Sequence, residues 1–212
     1  MTATLPETDV LVGRHLRLTP LTPADFAELH AAIGRPEVFA GGYGGGPAGL
    51  PADLEGFERF AARYYRFGDD ARPWAIRLAT GPDAGRLVGT STLGDLDLPN
   101  EGAHLGWTAY DPRVWGTVVN AEAKRLLLGL AFDHGFERVR IQADAVNARS
   151  RAAIAKLGAV FEGVLRHHLR RADGSWRDTA MYSILAAEWP GVRDGLDARI
   201  AAWGDREVRL EA

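Results

Sequence analysis

The stretch that decides the fold is LGWTAYDPRVWGTVVNAEAKRLLLGLAFDHG, residues 105–135. A short apolar strand at its start leads through a turn at residues 112–116 into a long helix that stops at Gly135. Apolar residues recur in the helix at helical spacing, which predicts one face packed on a core. That stripe consists of Val119, Ala123, Leu126, Leu127, Leu130 and Ala131, whereas Glu122, Lys124, Arg125 and Asp133 fall mainly outside it.

The beginning of this helix is a candidate anion site. The first four N–H groups of a helix lack intrahelical partners and carry partial positive charge, which favours anions such as phosphates. Gly116 precedes them, and a glycine lets a phosphate approach the backbone closely. The alternative is a glycine-containing loop before a purely structural helix, and this segment taken alone favours that alternative.

Composition excludes several classes of protein. The 212 residues are 46% hydrophobic, which suffices for one domain with a substantial core. The 25 basic and 28 acidic residues leave a net charge of −3, so nothing indicates a general nucleic-acid binder. Without cysteine there are no disulfides or thiolate metal sites, and the histidines lack metal-ligand spacing, so we expect no metal. The chain has neither a long apolar run nor a signal-like N-terminus, which predicts a cytoplasmic protein without membrane contact.

Periodicity along the rest of the chain predicts the order strand, two helices, three strands, helix, strand, helix, two strands, helix. We expect strands at residues 11–21, 74–78, 87–93, 103–110, 138–143, 159–169 and 179–185. Strands two to four form an antiparallel meander, and Asp173-Gly174 indicates a hairpin between the last two. The resulting fold class is α/β (α+β), with a mixed, mostly antiparallel central sheet of about seven strands flanked by helices.

The expected domain organisation is simple. Residues 1–10 form a lead-in, residues 11–188 form the main domain, and residues 189–212 form a C-terminal helix and tail packed on it. A glycine-rich segment at residues 41–51 lacks the ending of a phosphate-binding P-loop. It is either a flap beside a substrate or a plain linker, with the linker slightly favoured. The protein is expected to be a monomer or a homodimer.

The order of these elements, together with several short motifs, resembles the GNAT superfamily of acetyl-CoA-dependent N-acetyltransferases. The most similar branch is that of the ribosomal-protein N-terminal acetyltransferases, and the resemblance spans roughly residues 11–188. A dinucleotide-binding Rossmann fold is excluded, because no Gly-x-Gly-x-x-Gly lies between a first strand and helix. The motifs that carry the resemblance are Gly116, Glu122-Ala123, Asn147-x-x-Ser150, Leu157-Gly158, Glu162-Gly163 and Asp173-Gly174 followed by Asp178.

The resemblance implies a binding site for acetyl-CoA. Asn147 matches a residue that contacts the pantetheine arm, and Ser150 one that can protonate the departing thiolate. Arg149 and Arg151 are candidates for binding the 3′-phosphate of coenzyme A. The alternative is that they are solvated arginines at the start of a helix. The pantetheine arm would pair with a splayed strand end that matches Trp107, Thr108 and Ala109. The diphosphate turn matches Arg113, Val114, Trp115, Gly116, Thr117 and Val118.

This chain departs from the family pattern at two positions. Val118 stands where the diphosphate turn usually has glycine or alanine, so we expect it to crowd or shift the diphosphate. Ile154 stands where many members have a tyrosine acid, which leaves Ser150 as the candidate proton donor.

Acetyl transfer to an amine also needs a base, because amines are largely protonated at neutral pH. His104 is the first candidate, since an imidazole titrates near neutrality, and His167 is its competitor. A hydrogen-bonded or exposed structural histidine is the alternative for both, and a water molecule could replace either. The acceptor is a primary amine, either a protein N-terminus or a small molecule. A non-catalytic acyl-CoA-sensing or interaction module on the same fold is the alternative function.

Overall fold

The computed structural model describes residues 3–7 and 10–210. Of the predicted lead-in and tail, positions 1, 2, 8, 9, 211 and 212 lie outside the described residues. The helices are α1 (Phe26–Ile33), α2 (Pro36–Phe39), α3 (Leu54–Tyr64), α4 (Val119–Asp133), α5 (Ala148–Leu157) and α6 (Trp189–Trp203). The strands are β1 (Leu11–Val12), β2 (Leu16–Pro20), β3 (Arg72–Leu78), β4 (Leu87–Asp97), β5 (Gly102–Tyr110), β6 (Arg138–Asp144), β7 (Val160–Arg170) and β8 (Trp176–Leu185).

The described strands form one sheet in the order β1-β2-β3-β4-β5-β6-β8-β7. Every neighbouring pair is antiparallel except β5 and β6, so the predicted mixed, mostly antiparallel sheet is confirmed. The sheet has eight strands instead of about seven because residues 11–21 form two strands. A turn separates them, in which Gly13 N–H donates to the Leu16 carbonyl (2.9 Å), and Leu11 pairs with Leu18.

Helices cover both faces of the sheet. α1, α2 and α3 enclose one core, which includes Phe26, Leu29, Phe39 and Phe57. α4, α5 and α6 enclose the other core, with Leu127, Leu128, Ile154, Leu157 and Leu196.

α4 is buried on more sides than its apolar stripe predicts. α6 packs against it, and the rings of Phe132 and Trp189 stack at 5.3 Å. Glu122 and Lys124, which lie outside the stripe, are also buried, at 3% and 7% exposure, Glu122 against the β1–β2 turn and Lys124 against Thr108 of β5.

The buried carboxylate of Glu122 ties α4 to the β1–β2 turn. Its two oxygens accept the backbone N–H groups of Arg14 (2.5 Å) and His15 (2.9 Å). A Cβ on Gly13 would lie 2.6 Å from the Glu122 Oε1, so a residue without a side chain is needed for this approach. A buried charge is tolerated when hydrogen bonds compensate it, and these two N–H groups do so here.

Replacing Glu122 should therefore destabilise the fold. Glu122→Ala leaves two buried N–H groups without an acceptor, and we expect the free energy of unfolding to fall by about 2 kcal/mol, since hydrogen bonds to a charged group contribute roughly 1.5–3 kcal/mol. Urea unfolding followed by tryptophan fluorescence measures the change. Glu58→Ala, at an exposed position of α3, is the matched control. Equal stability of the two variants would contradict this account.

Candidate functional site

The site begins where β5 and β6 separate. The two parallel strands pair only at Gly102–Arg138, Ala103–Val139 and His104–Arg140. β5 then continues along β4, and β6 continues along β8 as far as Asp144. Beyond His104, the facing edges of β5 and β6 have no strand partner and are available to an extended ligand.

A bulge in β5 accompanies this separation. Thr90 pairs with Ala109 and Thr92 with Gly106, so Ser91 of β4 faces both Trp107 and Thr108 of β5. Trp107 has a φ of 49°, a left-handed conformation that is uncommon for an aromatic residue. Bulges often redirect a strand beside a functional site, and this one occurs at the predicted splay. Trp107, Thr108 and Ala109 all line the cleft described next.

The first cleft, of about 290 Å³, extends from the separated strands to the start of α4. The predicted residues Val114, Trp115, Gly116 and Asn147 line it, together with Gln142 of β6 and Ser150, Ala153, Ile154 and Leu157 of α5. Gly116 has a φ of 77°, and a Cβ added to it would meet no atom within 4 Å. Its backbone therefore faces open space, with a conformation that favours glycine.

Unpartnered N–H groups surround Gly116. Among the described residues, no acceptor is recorded for the backbone N–H of Gly116, Val118, Asn120 or Ala121. These groups lie at the positive end of α4, where N–H donors without an intrahelical partner favour an anion. The helix itself begins at Val119, the first residue of its apolar stripe, and residues 112–114 of the preceding turn form a separate 3-10 helix capped by Asp111.

Three predicted cofactor-binding side chains do not line the first cleft. The Arg113 guanidinium donates to both carboxylate oxygens of Asp111 (2.6–3.2 Å) and to the Leu210 carbonyl (3.0 Å). Thr117 Oγ1 donates to the Val114 carbonyl at 2.6 Å. Val118 is 3% exposed within the core, so its side chain does not produce the expected crowding. These residues can contribute only their backbone to a ligand in this cleft.

Asn147 positions the start of α5 beside the first cleft. Its Oδ1 accepts the Ser150 N–H (2.9 Å) and so caps α5, and its Nδ2 donates to the Gly41 carbonyl (2.6 Å). The Ser150 hydroxyl has no hydrogen-bond partner among the described residues and lines the cleft. Nearby, the Arg149 guanidinium lies 3.4 Å from the centre of the Trp115 ring. Arg151 instead bonds the Tyr182 hydroxyl and the Ala145 carbonyl.

A second cleft, of about 590 Å³, also borders the separated strands. It shares Tyr43, Gly106, Trp107, Thr108, Gln142, Asn147 and Ser150 with the first cleft. The two clefts therefore meet at the splay, where a ligand in one would adjoin a ligand in the other. The glycine-rich segment forms one wall through Gly41, Gly42, Tyr43 and Gly45, so it borders the site and is not a plain linker.

His104 lines the second cleft beside the shared residue Trp107 and is 3% exposed. Its Nδ1 is 3.3 Å from the Asp95 Oδ2, its ring packs on Trp107, and its buried Nε2 has no partner within the described chain. Burial lowers the pKa of His104, and the hydrogen bond to Asp95 opposes this only in part. The imidazole is therefore neutral at pH 7 and can accept a proton.

The sequence suggested His167 as the competing base, but it is the neighbouring His168 that lies at a cleft. His167 stacks on Trp176 (5.2 Å between ring centres) and lines neither cleft. His168 lines the second cleft, and its Nδ1 lies 3.1 Å from the Thr179 hydroxyl. Burial and the nearby Arg177 and Arg140 lower the pKa of His168. The irregular register of β7 between Leu165 and Leu169 decides which ring faces the cleft, and no sequence pattern marks it.

Sequence reasoning missed Lys124. Its ammonium reaches the first cleft from α4 and donates to Thr108 Oγ1 (3.0 Å), which is 2.7 Å from the Ser91 hydroxyl. Burial lowers the pKa of Lys124 to about 7. A group that titrates near neutrality thus lies next to the splay. The sequence gives no sign of this, because Glu122 and Arg125 beside Lys124 make it look like one of several exposed charges on the helix.

Two further observations concern residues 3–7 and 10–210. Within these ranges, no group of three or more His, Asp or Glu side chains is placed to bind a metal ion. None of the helices there combines the length and apolar character that a membrane span requires.

Comparisons with known proteins agree with this geometry. The profile of the family described as "Acetyltransferase (GNAT) domain" matches residues 15–160. The Bacillus subtilis (strain 168) protein named "Putative ribosomal N-acetyltransferase YdaF" is 32% identical over 108 residues, which cover 50% of this chain and 58% of that protein. The matched segment thus spans less than two thirds of this relative.

Solved structures match over nearly the whole chain. A GCN5-related N-acetyltransferase from Brucella melitensis is 28% identical with a TM-score of 0.82, covering 93% of this chain and 87% of its own. A structure from T. thermophilus titled "putative acetyltransferase" is 34% identical with a TM-score of 0.78, covering 91% of this chain and 97% of its own.

The lowered pKa of Lys124 predicts a pH-dependent stability. Between about pH 7 and 10.4 the unfolded chain keeps a proton on this amine that the folded chain has released, so stability rises with pH by up to about 1.4 kcal/mol per unit. Lys124→Met should abolish this slope. Urea unfolding of both proteins across that range measures it. Lys156→Met, at an exposed position, should keep the wild-type slope, and parallel curves for wild type and Lys124→Met would refute the assignment.

Proposed function

Because the chain belongs to the acetyltransferase (GNAT) domain family, we propose that it transfers the acetyl group of acetyl-CoA to a primary amine. The amine attacks the thioester carbonyl directly, and no covalent enzyme intermediate forms. The observation that carries this proposal is the junction of two clefts at the β5–β6 splay, one of which ends on the unpartnered N–H groups around Gly116.

Acetyl-CoA fits the first cleft by its chemistry. The diphosphate binds the N–H groups at the start of α4, where backbone donors and the helix dipole favour negative charge. The pantetheine arm, which contains two amide groups, pairs with the free edges of β5 and β6 beyond His104. This placement brings the thioester to Gly106, Trp107 and Thr108, where the second cleft begins.

The reaction then needs a base and an acid. His104 takes the proton of the attacking amine, because its neutral imidazole lies at the junction and its Nε2 has no partner within the described residues. As the carbon–sulfur bond breaks, the Ser150 hydroxyl protonates the departing thiolate. A backbone N–H of the splayed strand stabilises the tetrahedral oxyanion, a contribution that needs no side chain.

The acceptor belongs to one of two groups. The name of the Bacillus subtilis relative favours a ribosomal protein, whose N-terminal amine would enter the second cleft. A small-molecule amine is the other candidate, and the volume of the second cleft, about 590 Å³, accommodates either. A non-catalytic acyl-CoA-binding protein is less favoured, because such a protein needs no second cleft at the thioester.

A charge placed at Gly116 should test the donor site. We expect Gly116→Asp to weaken acetyl-CoA binding at least about tenfold, because its carboxylate would repel the diphosphate at the N–H cluster. Isothermal titration of acetyl-CoA, dephospho-CoA and desulpho-CoA measures this. Gly116→Asn has nearly the same shape and tolerates a positive φ equally well, so it separates charge from backbone strain. Undiminished binding to Gly116→Asp would place the diphosphate elsewhere, and no binding to wild type would refute the proposed function.

Kinetics should separate catalysis from binding. Removing a general acid or base typically costs about 10²–10⁴-fold, so we expect His104→Gln and Ser150→Ala to lower kcat about a hundredfold with little change in the KM for acetyl-CoA. His167→Gln and Ser175→Ala, which alter residues outside both clefts, are the matched controls. Loss of activity in the controls as large as in the site variants would remove His104 and Ser150 from the mechanism.

A further inference from the structure

The second cleft is rich in arginine. Five guanidinium groups line it against two carboxylates, those of Asp95 and Asp144, while its two histidines are neutral near pH 7. For a protein with a net charge of −3, this local excess of positive charge is unusual and points to a ligand. The five arginines are Arg66, Arg140, Arg170, Arg171 and Arg177.

Four of these arginines already have partners. Arg66 and Arg140 both pair with Asp95. Arg171 forms a two-pronged bond to the buried Asp144, and Arg170 lies over the Trp176 ring and bonds the Gly174 carbonyl. Both carboxylates of the cleft are therefore occupied.

Arg177 is the exception. No hydrogen bond or ion pair of its side chain is recorded within the described chain, and its buried Nε has no acceptor. Burial lowers the pKa of the Arg177 guanidinium, and the charge of Asp144 offsets this only in part. An unsatisfied buried donor on a charged group is costly, so the Arg177 Nε needs a partner from outside the described chain, either ordered water or a ligand.

Arg140 adds a second donor facing the same space. Its Nε is also buried without an acceptor, although its Nη2 pairs with Asp95. Arg140, Arg177 and His168 all line the second cleft. Two forks with free donors match the geometry of a carboxylate, which accepts paired N–H groups.

We propose that the acceptor is a primary amine that carries a carboxylate, and that Arg177, assisted by Arg140, binds this carboxylate in the second cleft. The amine then points toward the splay at Trp107 and Thr108, where the thioester lies under the proposed function on which this inference rests. The same charges disfavour polyamines and aminoglycosides, because a second ammonium group would face five arginines.

The test compares acceptors that differ only in the carboxylate. A series of ω-amino acids is assayed beside alkylamines of equal chain length, whose amines have similar pKa values. A second arm uses the peptide amides Glu-Ala-Ala and Gln-Ala-Ala, which tells a peptide carboxylate from a small amino acid. We expect the carboxylate-bearing member of at least one pair to have the higher kcat/KM by about tenfold or more, the contribution expected of a charge-assisted hydrogen bond.

Variants of Arg177 connect the preference to this side chain. Arg177→Gln should lower kcat/KM for the preferred carboxylate acceptor about tenfold or more while leaving the matched uncharged amine and the KM for acetyl-CoA nearly unchanged. Arg177→Lys keeps the positive charge but not the paired N–H donors of the guanidinium, so its loss of kcat/KM for this acceptor should be smaller. Arg166→Gln removes an exposed arginine of the same hairpin that lines neither cleft, and it should behave as wild type.

Failure of this inference and failure of the proposed function give different results. Equal turnover of both members of every pair, or equal losses in Arg177→Gln and Arg166→Gln, would overturn the carboxylate site and leave acetyl transfer standing. If no amine is acetylated, the proposed function fails. In that case, calorimetric titration of the ω-amino acids into the CoA-saturated protein still decides the inference. We expect Arg177→Gln to abolish this binding, and unchanged binding to the variant would refute the carboxylate site.

Discussion

The site depends on one constraint, the short parallel pairing between β5 and β6. This is the only parallel contact among the described strands, and it ends at His104 because β5 bulges at Trp107 and follows β4 instead. Both strands keep backbone groups that lack a strand partner beyond that point, and buried backbone groups require partners. β5 then leads into the start of α4, so the free strand edges and the N–H cluster at Gly116 belong to one continuous surface.

Charged groups in α4 illustrate how one buried helix serves both stability and the site. Glu122 is satisfied by two backbone N–H groups of the β1–β2 turn and holds the edge of the sheet to the helix. Lys124, half a turn away, is buried with a single hydroxyl partner, and its pKa falls to about 7 as a result. The two side chains are similarly buried but differ in their partners. The two N–H groups compensate the carboxylate for its lost hydration, whereas one neutral hydroxyl does not do so for the ammonium.

The two clefts differ in how they attract charge. At Gly116 the positive potential comes from backbone N–H groups and the helix end, which carry no net charge and keep the surroundings nearly neutral. The second cleft uses whole guanidinium groups, of which Asp95 and Asp144 neutralise only some. The backbone N–H groups at Gly116 suit a diphosphate that accepts many weak hydrogen bonds. The guanidinium groups of the second cleft suit a compact anion that accepts paired N–H donors.

The sequence by itself determined the features that arise from short-range geometry. It predicted most of the order of helices and strands and the Asp173-Gly174 hairpin, because turns and periodicity depend on neighbours a few residues apart. Only the tertiary structure decided which side chains reach the clefts. Contacts between distant segments placed Arg113 on Leu210, buried Val118 and Lys124, turned His168 toward the second cleft and left Arg177 without a partner. Such contacts join residues far apart in the chain, 97 positions in the case of Arg113 and Leu210, and no local pattern encodes them.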